Sequence, residues 1–506
     1  MRRRVVAAVG VLAAAVLLLS GCFFAGAQAT HDSTPTGEDV PEQIAEFYHQ
    51  VLVWSPCGDL ECATASAPLD WSDPGRDTIE LALIRSTAGG EAKGSLLVNP
   101  GGPGGSGVDF VRSSLEYATS DRLRGEYDIV GFDPRGVGES SAVDCYDDPQ
   151  ELSDYIYELP VNKRGSDGWL DEMTKSTADF GQACLQHTGE LLGFVDTESA
   201  ARDLDMLRAA LGDEKLNYLG YSYGTFLGAT YAELFPGRTG HLVLDGAIDP
   251  ATSEFEVTAT QAAGFESAMR AYLADCLSGS DCPFRGTVDE AMASVATLFG
   301  RLDASPLRAA DGRLLGSSTM FTAIIYPLYS ASSWPYLTQL LDEVLSGRAE
   351  TAFQLADGYN GRNADGSYLD NSTEAFTAIN CLDYPVTSTR ESLQSEAEEL
   401  ARLAPVFGPM MSYGGTACAA WPFESTRVRE QITASGSAPI LVVGTTNDPA
   451  TPYSWAVSLA EQLENGHLVS YEGEGHTAYN KSNSCVNDAV DGFFIDDVVP
   501  ASDPRC

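Results

Sequence analysis

At 506 residues the chain is long enough for one large domain with an insertion, or for two domains. Lys and Arg number 30 against 72 Asp and Glu, a net charge of −42, which repels nucleic acid and excludes a phosphate-backbone partner. Such acidity reads as a solvated surface that keeps an exported protein soluble, with a field that also draws cationic ligands such as peptide amino termini.

Residues 1–21 read as a targeting segment. Arg2, Arg3 and Arg4 precede an apolar run from Val5 to Leu19, short for a membrane span, which ends Leu19-Ser20-Gly21-Cys22. That ending resembles a bacterial lipoprotein signal, in which Cys22 is lipidated and becomes the first residue; an ordinary secretory signal is the alternative. The expected location is the outer face of a membrane, with release from it as a variant, and no transmembrane span is expected in the mature chain. Residues 22–45, rich in small residues, Pro and acids, read as a flexible tether.

Without Cys22, ten of the 11 cysteines remain, an even number with no paired ligand spacing and no nearby histidines, so no metal is expected. In an exported chain they read as five disulfides. Ten cysteines allow about 945 pairings. Pairing of neighbours is the simplest expectation, with Cys57–Cys62 and Cys276–Cys282 closing tight loops and Cys485–Cys506 stapling the C-terminus.

From residue 46 the pattern is that of an α/β fold. Antiparallel strands are expected between Val53 and Arg85, then a strand at Ser95–Val98 that runs into the loop NPGGPGGSG, Asn99 to Gly107. This loop lacks the Lys-Ser/Thr of a P-loop and the spacing of a dinucleotide fingerprint. After an early strand, its glycines instead allow a backbone N–H to approach a substrate carbonyl, and Gly102 is the expected oxyanion donor. Tyr127–Phe132 is the next strand, and Asp133 and Arg135 after it are expected to brace each other and their loop.

An amphipathic helix at Thr197–Leu211 leads to the stretch around which the chain is organised, LNYLGYSYGTFLGATYAELF, Leu216 to Phe235. A short buried strand turns into a helix at Gly220-Tyr221-Ser222-Tyr223-Gly224, and only small flanking residues let the two backbones pass. Ser222 at such a corner is a nucleophile, and the N–H of Tyr223 is the second expected oxyanion donor. Residues 46–250 thus form the first part of a hydrolase domain with a mostly parallel sheet. Residues 251–435, where helical segments replace the alternation, read as a mainly helical cap. Residues 436–506 return to the sheet.

A serine hydroxyl needs a base. Among six histidines only His476 follows the last expected strand in a glycine-flanked loop, as the chain order Ser, acid, His requires. Asp448, ending the Pro439–Val443 strand, is the expected acid, and Asp245 is its competitor. Thr451 reads as the cap of the helix starting at Pro452, with a hydrogen bond near the acid–base pair as the alternative.

GYSYGT, NPGGPGGSG, DPRGVGES, AINCLDYP (Ala378–Pro385) and TNDPATP…GEGHTAY together resemble the secreted tripeptidyl aminopeptidases of actinobacteria, relatives of the proline iminopeptidases within the α/β-hydrolases. The resemblance runs from about Tyr48 to Cys506. It implies a metal- and cofactor-free serine exopeptidase that removes tripeptides from free amino termini, with Ser222, Asp448 and His476 as its triad. The iminopeptidase loop begins with His where this chain has Pro100. An amine-binding carboxylate is also implied, and Asp383, in the AINCLDYP segment, is the candidate. A carboxylesterase or lipase with the same triad, and a catalytically silent binding lipoprotein, are the competing readings.

Overall fold

The computed structural model describes residues 32–506; the targeting segment and Cys22 lie outside them. Strands β1 (Ser55–Cys57), β2 (Leu60–Pro68), β3 (Thr78–Ser86), β4 (Ser95–Asn99), β5 (Asp128–Phe132), β6 (Leu216–Tyr221) and β7 (Thr239–Asp245) precede an insertion that contains two two-residue strands, β8 (Leu307–Arg308) and β9 (Leu314–Leu315). Strands β10 (Ile440–Asn447) and β11 (Gly466–Glu474) follow it. Nine strands form one sheet in the order β1-β2-β3-β5-β4-β6-β7-β10-β11, while β8 and β9 pair with each other.

The sequence pattern explains the sheet's two halves. β2 and β3 alternate buried and exposed residues and pair antiparallel at an edge with one wet face. β4, with every residue buried, runs parallel to β5 and β6 at the centre, where helices cover both faces. The Thr197–Leu211 helix starts at an Asp196 cap and ends at Gly212 in the left-handed region (φ +94°). It packs on the Tyr223–Leu234 helix, and the Ser484–Asp496 helix closes the opposite face.

The insertion between β7 and β10 is mainly helical and has its own core, in which Met269, Tyr272, Leu298, Ile324, Leu341 and Phe407 are buried together. Two of its helices start earlier or more firmly than apolar spacing alone suggests. Ser253 with Glu256 and Thr287 with Glu290 form reciprocal capping boxes that satisfy first-turn N–H groups. The cap reaches the body at the site: the Tyr329 carbonyl accepts the His476 backbone N–H at 2.8 Å, and the Gln261 side chain donates to the Ala450 carbonyl at 2.8 Å.

The described part of the expected tether is docked, not loose. Arg208 is fully buried on the Thr197–Leu211 helix and needs acceptors. Asp205 supplies one at 3.0 Å and Glu38 supplies both oxygens at 3.0 Å, while Thr36 N–H bonds the Ala209 carbonyl at 2.9 Å. Burial of that arginine therefore draws residues 32–40 onto the body, an effect invisible in the arm's own composition.

All ten cysteines pair with their chain neighbours: Cys57–Cys62, Cys145–Cys184, Cys276–Cys282, Cys381–Cys418 and Cys485–Cys506. No helix among the described residues is long and apolar enough to cross a membrane.

Candidate active site

Ser222 occupies the corner between β6 and the Tyr223–Leu234 helix with φ +55° and ψ −122°. A non-glycine residue held there costs on the order of 1–3 kcal/mol, and it persists only where neighbours fix it. Here the Ser222 N–H bonds the Asp245 carbonyl at 2.9 Å and the Ser222 carbonyl accepts from Thr225 N at 2.8 Å. The glycines on either side are obligatory: a Cβ at Gly220 would lie 2.4 Å from the Gly224 carbonyl oxygen, and one at Gly224 would lie 2.8 Å from Asn99 Oδ1. Tyr223 heads the helix, so its N–H is a first-turn donor without an intrahelical acceptor.

The glycine-rich loop lies against this corner. Gly101 (φ +96°) makes the closest approach, since a Cβ there would sit 2.5 Å from the Tyr221 carbonyl oxygen, 2.9 Å from Ser222 Cβ and 3.0 Å from Tyr223 N. Its own N–H is taken by Asn99 Oδ1 at 3.0 Å. The next residue, Gly102 (φ +112°), has an N–H with no protein acceptor among the described residues. Asp133 fixes the loop's far end, accepting from Ser106 Oγ at 2.6 Å, Val108 N at 3.0 Å and Glu139 N at 2.7 Å. Burial pushes its carboxyl upward and these donors pull it back.

Asp133 and Arg135 do not brace each other as expected. Arg135 instead makes a two-pronged, fully buried pair with Asp203 at 2.7 Å and donates to the carbonyls of Pro68, Leu69 and Phe194. Each is held by a distant partner instead: the Thr197–Leu211 helix brings the Asp203 carboxylate to the buried guanidinium, while the Asp133 oxygens are filled by Ser106, Val108 and Glu139.

His476 follows β11, and its Nδ1 lies 2.9 Å from both oxygens of Asp448. Asp448, 2% exposed, also accepts from Ala450 N and Thr451 N at 2.9 Å and from Thr477 N at 3.2 Å. The ring is thus held edge-on to a carboxylate whose lone pairs are filled. Thr451 does not cap the next helix, whose start at Pro452 has no side-chain cap. Its hydroxyl donates to Asp448 Oδ2 at 3.0 Å and lies 3.2 Å from His476 Nδ1, because the backbone turn at residues 448–451 is closed by Asp448 itself. On the cap side the Tyr329 ring meets the imidazole edge-to-face at 5.3 Å between centroids.

Asp245 sits next to this pair in a different role. Its buried carboxylate accepts from Ala478 N at 3.0 Å and Tyr479 N at 2.8 Å, anchoring the backbone just after His476.

A cavity of about 510 Å³ opens between cap and body at His476. Its wall is aromatic, with Phe110, Tyr117, Tyr221, Tyr326, Tyr329 and Tyr336, and no Asp or Glu lines it among the described residues. Asp383 lies elsewhere. It is 3% exposed, ends the Ser372–Asp383 helix, and bonds Thr197 N at 2.9 Å and Thr197 Oγ1 at 2.5 Å; Thr197 Oγ1 in turn bonds the Tyr223 hydroxyl. Burial raises its carboxyl to about 6. Asp383 thus backs the elbow from the cap, and its oxygens are committed to Thr197, not offered to a substrate amine. Nothing in its sequence neighbourhood distinguishes these uses, since both call for an acid at a helix end.

The C-terminal residues 404–506 match the model of a family described as TAP-like protein. Over 98% of this chain and 96% of its own length, the serine protease Hip1 of Mycobacterium tuberculosis H37Rv is 36% identical. Carboxylesterase B of the same strain is 38% identical over 88% of this chain and 86% of its own. The tripeptidyl aminopeptidase of Streptomyces coelicolor is 30% identical over 90% of this chain and 84% of its own. With the sheet order, the elbow and these likenesses together, the chain belongs to the tripeptidyl aminopeptidase family of α/β-hydrolases and is a hydrolase.

Proposed function

We propose that this hydrolase is an exported serine exopeptidase that releases tripeptides from free amino termini through Ser222, His476 and Asp448. The observation that carries the reading is His476 Nδ1 held 2.9 Å from both Asp448 oxygens, at the same C-terminal end of the parallel strands as Ser222 on its strained strand-to-helix corner. Asp448 fixes the Nδ1–H tautomer, which leaves Nε2 as the base. Ser222 Oγ attacks the scissile carbonyl while Nε2 takes its proton, and the N–H groups of Gly102 and Tyr223 receive the oxyanion. The imidazolium then protonates the departing amine, and water resolves the acyl-enzyme by the reverse path. The targeting segment and the five disulfides support export, with Cys22 as the lipid attachment point.

Mass spectrometry of the products from an unblocked hexapeptide tests the reading: the amino-terminal tripeptide should appear first and be lost in Ser222→Ala. Single amino acids or internal fragments as first products contradict it.

A carboxylesterase is the second reading. It is favoured by the aromatic cavity at His476, which among the described residues offers no carboxylate to an amine, and by the 38% identity to a protein named carboxylesterase B.

A further inference from the structure

Among the described residues, one ammonium lines the cavity at His476, that of Lys481. The turn that brings it there is tightly specified. Thr477 (φ +63°) and Asn480 (φ +59°) both occupy the left-handed region, unfavourable above all for a β-branched threonine. The turn is held by Asp448 on Thr477 N and by Asp245 on Ala478 N and Tyr479 N. Lys481 consequently folds back beside His476: its Nζ donates to Thr477 Oγ1 and lies 4.2 Å from the centroid of the Tyr117 ring and 5.1 Å from that of Tyr221.

This lysine is unusual for so acidic a chain. With 72 acids against 30 bases, a cation finds a carboxylate easily, yet none lies within 4.0 Å of Lys481 Nζ among the described residues. The buried Asp245 carboxyl feels the Lys481 charge, which draws it downward against the upward push of burial, but its oxygens are hydrogen-bonded to backbone N–H groups and not to the ammonium. An ammonium has three donors, and Thr477 uses one. Two ring faces stabilise the charge without consuming a donor. What remains is a positive, partly desolvated group on the wall of an aromatic cavity.

We propose that Lys481 binds a carboxylate on the departing fragment of the substrate. The side of the scissile bond follows from the proposed chemistry, on which this inference rests: His476 hands its proton to the leaving group, so the cavity beside its ring receives the departing atoms. Lys481, bonded to the residue next to His476, then meets a negative group close to the cleaved bond. Two sources supply that chemistry: the terminal carboxylate of a one-residue leaving fragment, or an Asp or Glu side chain at the first departing position.

The test compares kcat/KM for a tetrapeptide acid with its terminal amide, and for a pentapeptide amide carrying Glu with one carrying Gln at the fourth position. Wild type, Lys481→Met and Lys481→Arg are measured, with rates normalised to sites labelled by a fluorophosphonate. The wild type should prefer the charged member of at least one pair by about tenfold to a hundredfold. Preference for the acid alone assigns the terminal carboxylate, and preference for Glu alone assigns the side chain. The preference should fall to about one in Lys481→Met, survive in part in Lys481→Arg, and weaken with salt in the wild type. Absence of any preference in the wild type, or its persistence in Lys481→Met, overturns the proposal. Acyl esters of glycolate and of glycolamide separate this from the peptidase reading. If peptides are not cleaved but the glycolate ester is preferred, the peptidase reading fails and the Lys481 subsite stands; equal turnover of the two esters overturns the subsite.

Discussion

Asp245 holds Ser222 through its backbone carbonyl, at 2.9 Å from the serine N–H, while its carboxylate holds the backbone that follows His476. One residue at the end of β7 therefore ties the proposed nucleophile to the proposed base. Asp245→Asn keeps the carbonyl but loses at least one charge-assisted bond to Ala478 or Tyr479, each worth about 1.5–3 kcal/mol. We expect kcat to fall about tenfold with KM nearly unchanged and Tm to drop by a few degrees. A lower Tm with unchanged kcat would make the clamp purely structural.

Asp448 and Thr451 act on the imidazole with unequal force. Asp448→Asn offers the ring the wrong hydrogen-bond polarity on one side and should lower kcat by about ten thousandfold. Thr451→Val removes one of the donors that fill the Asp448 lone pairs, and three backbone N–H groups remain. A loss of about tenfold is expected. Steady-state kinetics of the two variants check the ranking, which equal losses would contradict.

Gly101 should tolerate no side chain. In Gly101→Ala the new Cβ meets main-chain atoms of Tyr221 and Tyr223, which have no way to yield except by shifting the elbow. Turnover should fall by a hundredfold or more, about the cost of losing one oxyanion donor. Burst titration with a fluorophosphonate, slow or absent in the variant, distinguishes a displaced elbow from weaker substrate binding.

Glu374 predicts a pH dependence of stability. It is buried, its Oε2 has no hydrogen-bond partner among the described residues, and burial raises its carboxyl from 4.5 to about 7. The folded state keeps a proton that the unfolded chain releases, so stability is highest below pH 4.5 as far as this group is concerned. It falls as the pH rises from 4.5 to about 7, by on the order of 2–3 kcal/mol. Glu374→Gln should raise Tm at pH 8 and flatten the slope of denaturant-derived stability between pH 5 and 7. An unchanged slope would contradict this assignment.

Much of the fold was legible because local chemistry and position coincide. The Thr197–Leu211 helix carries its cap, its apolar stripe and its terminating glycine within its own sequence. The elbow likewise declares itself in five residues, since Gly220 and Gly224 are sterically forced. Features decided by distant partners were not legible. Arg135 pairs with Asp203, 68 residues away, instead of with Asp133, and Glu38 is drawn to Arg208 across 170 residues. Thr451 and Lys481 become informative only once two turns are folded, the one at residues 448–451 that Asp448 closes and the one after His476 that folds Lys481 back onto Thr477.

The most direct test of the proposed function is the hydrolysis of a tripeptidyl chromogenic substrate, its amino-acetylated twin and a short-chain ester by the mature protein and by Ser222→Ala. Cleavage of the free-amine peptide, loss of that cleavage on acetylation, and no activity in Ser222→Ala are the expected results. Rapid turnover of the ester with no penalty for acetylation would contradict the proposed function and install the carboxylesterase reading in its place.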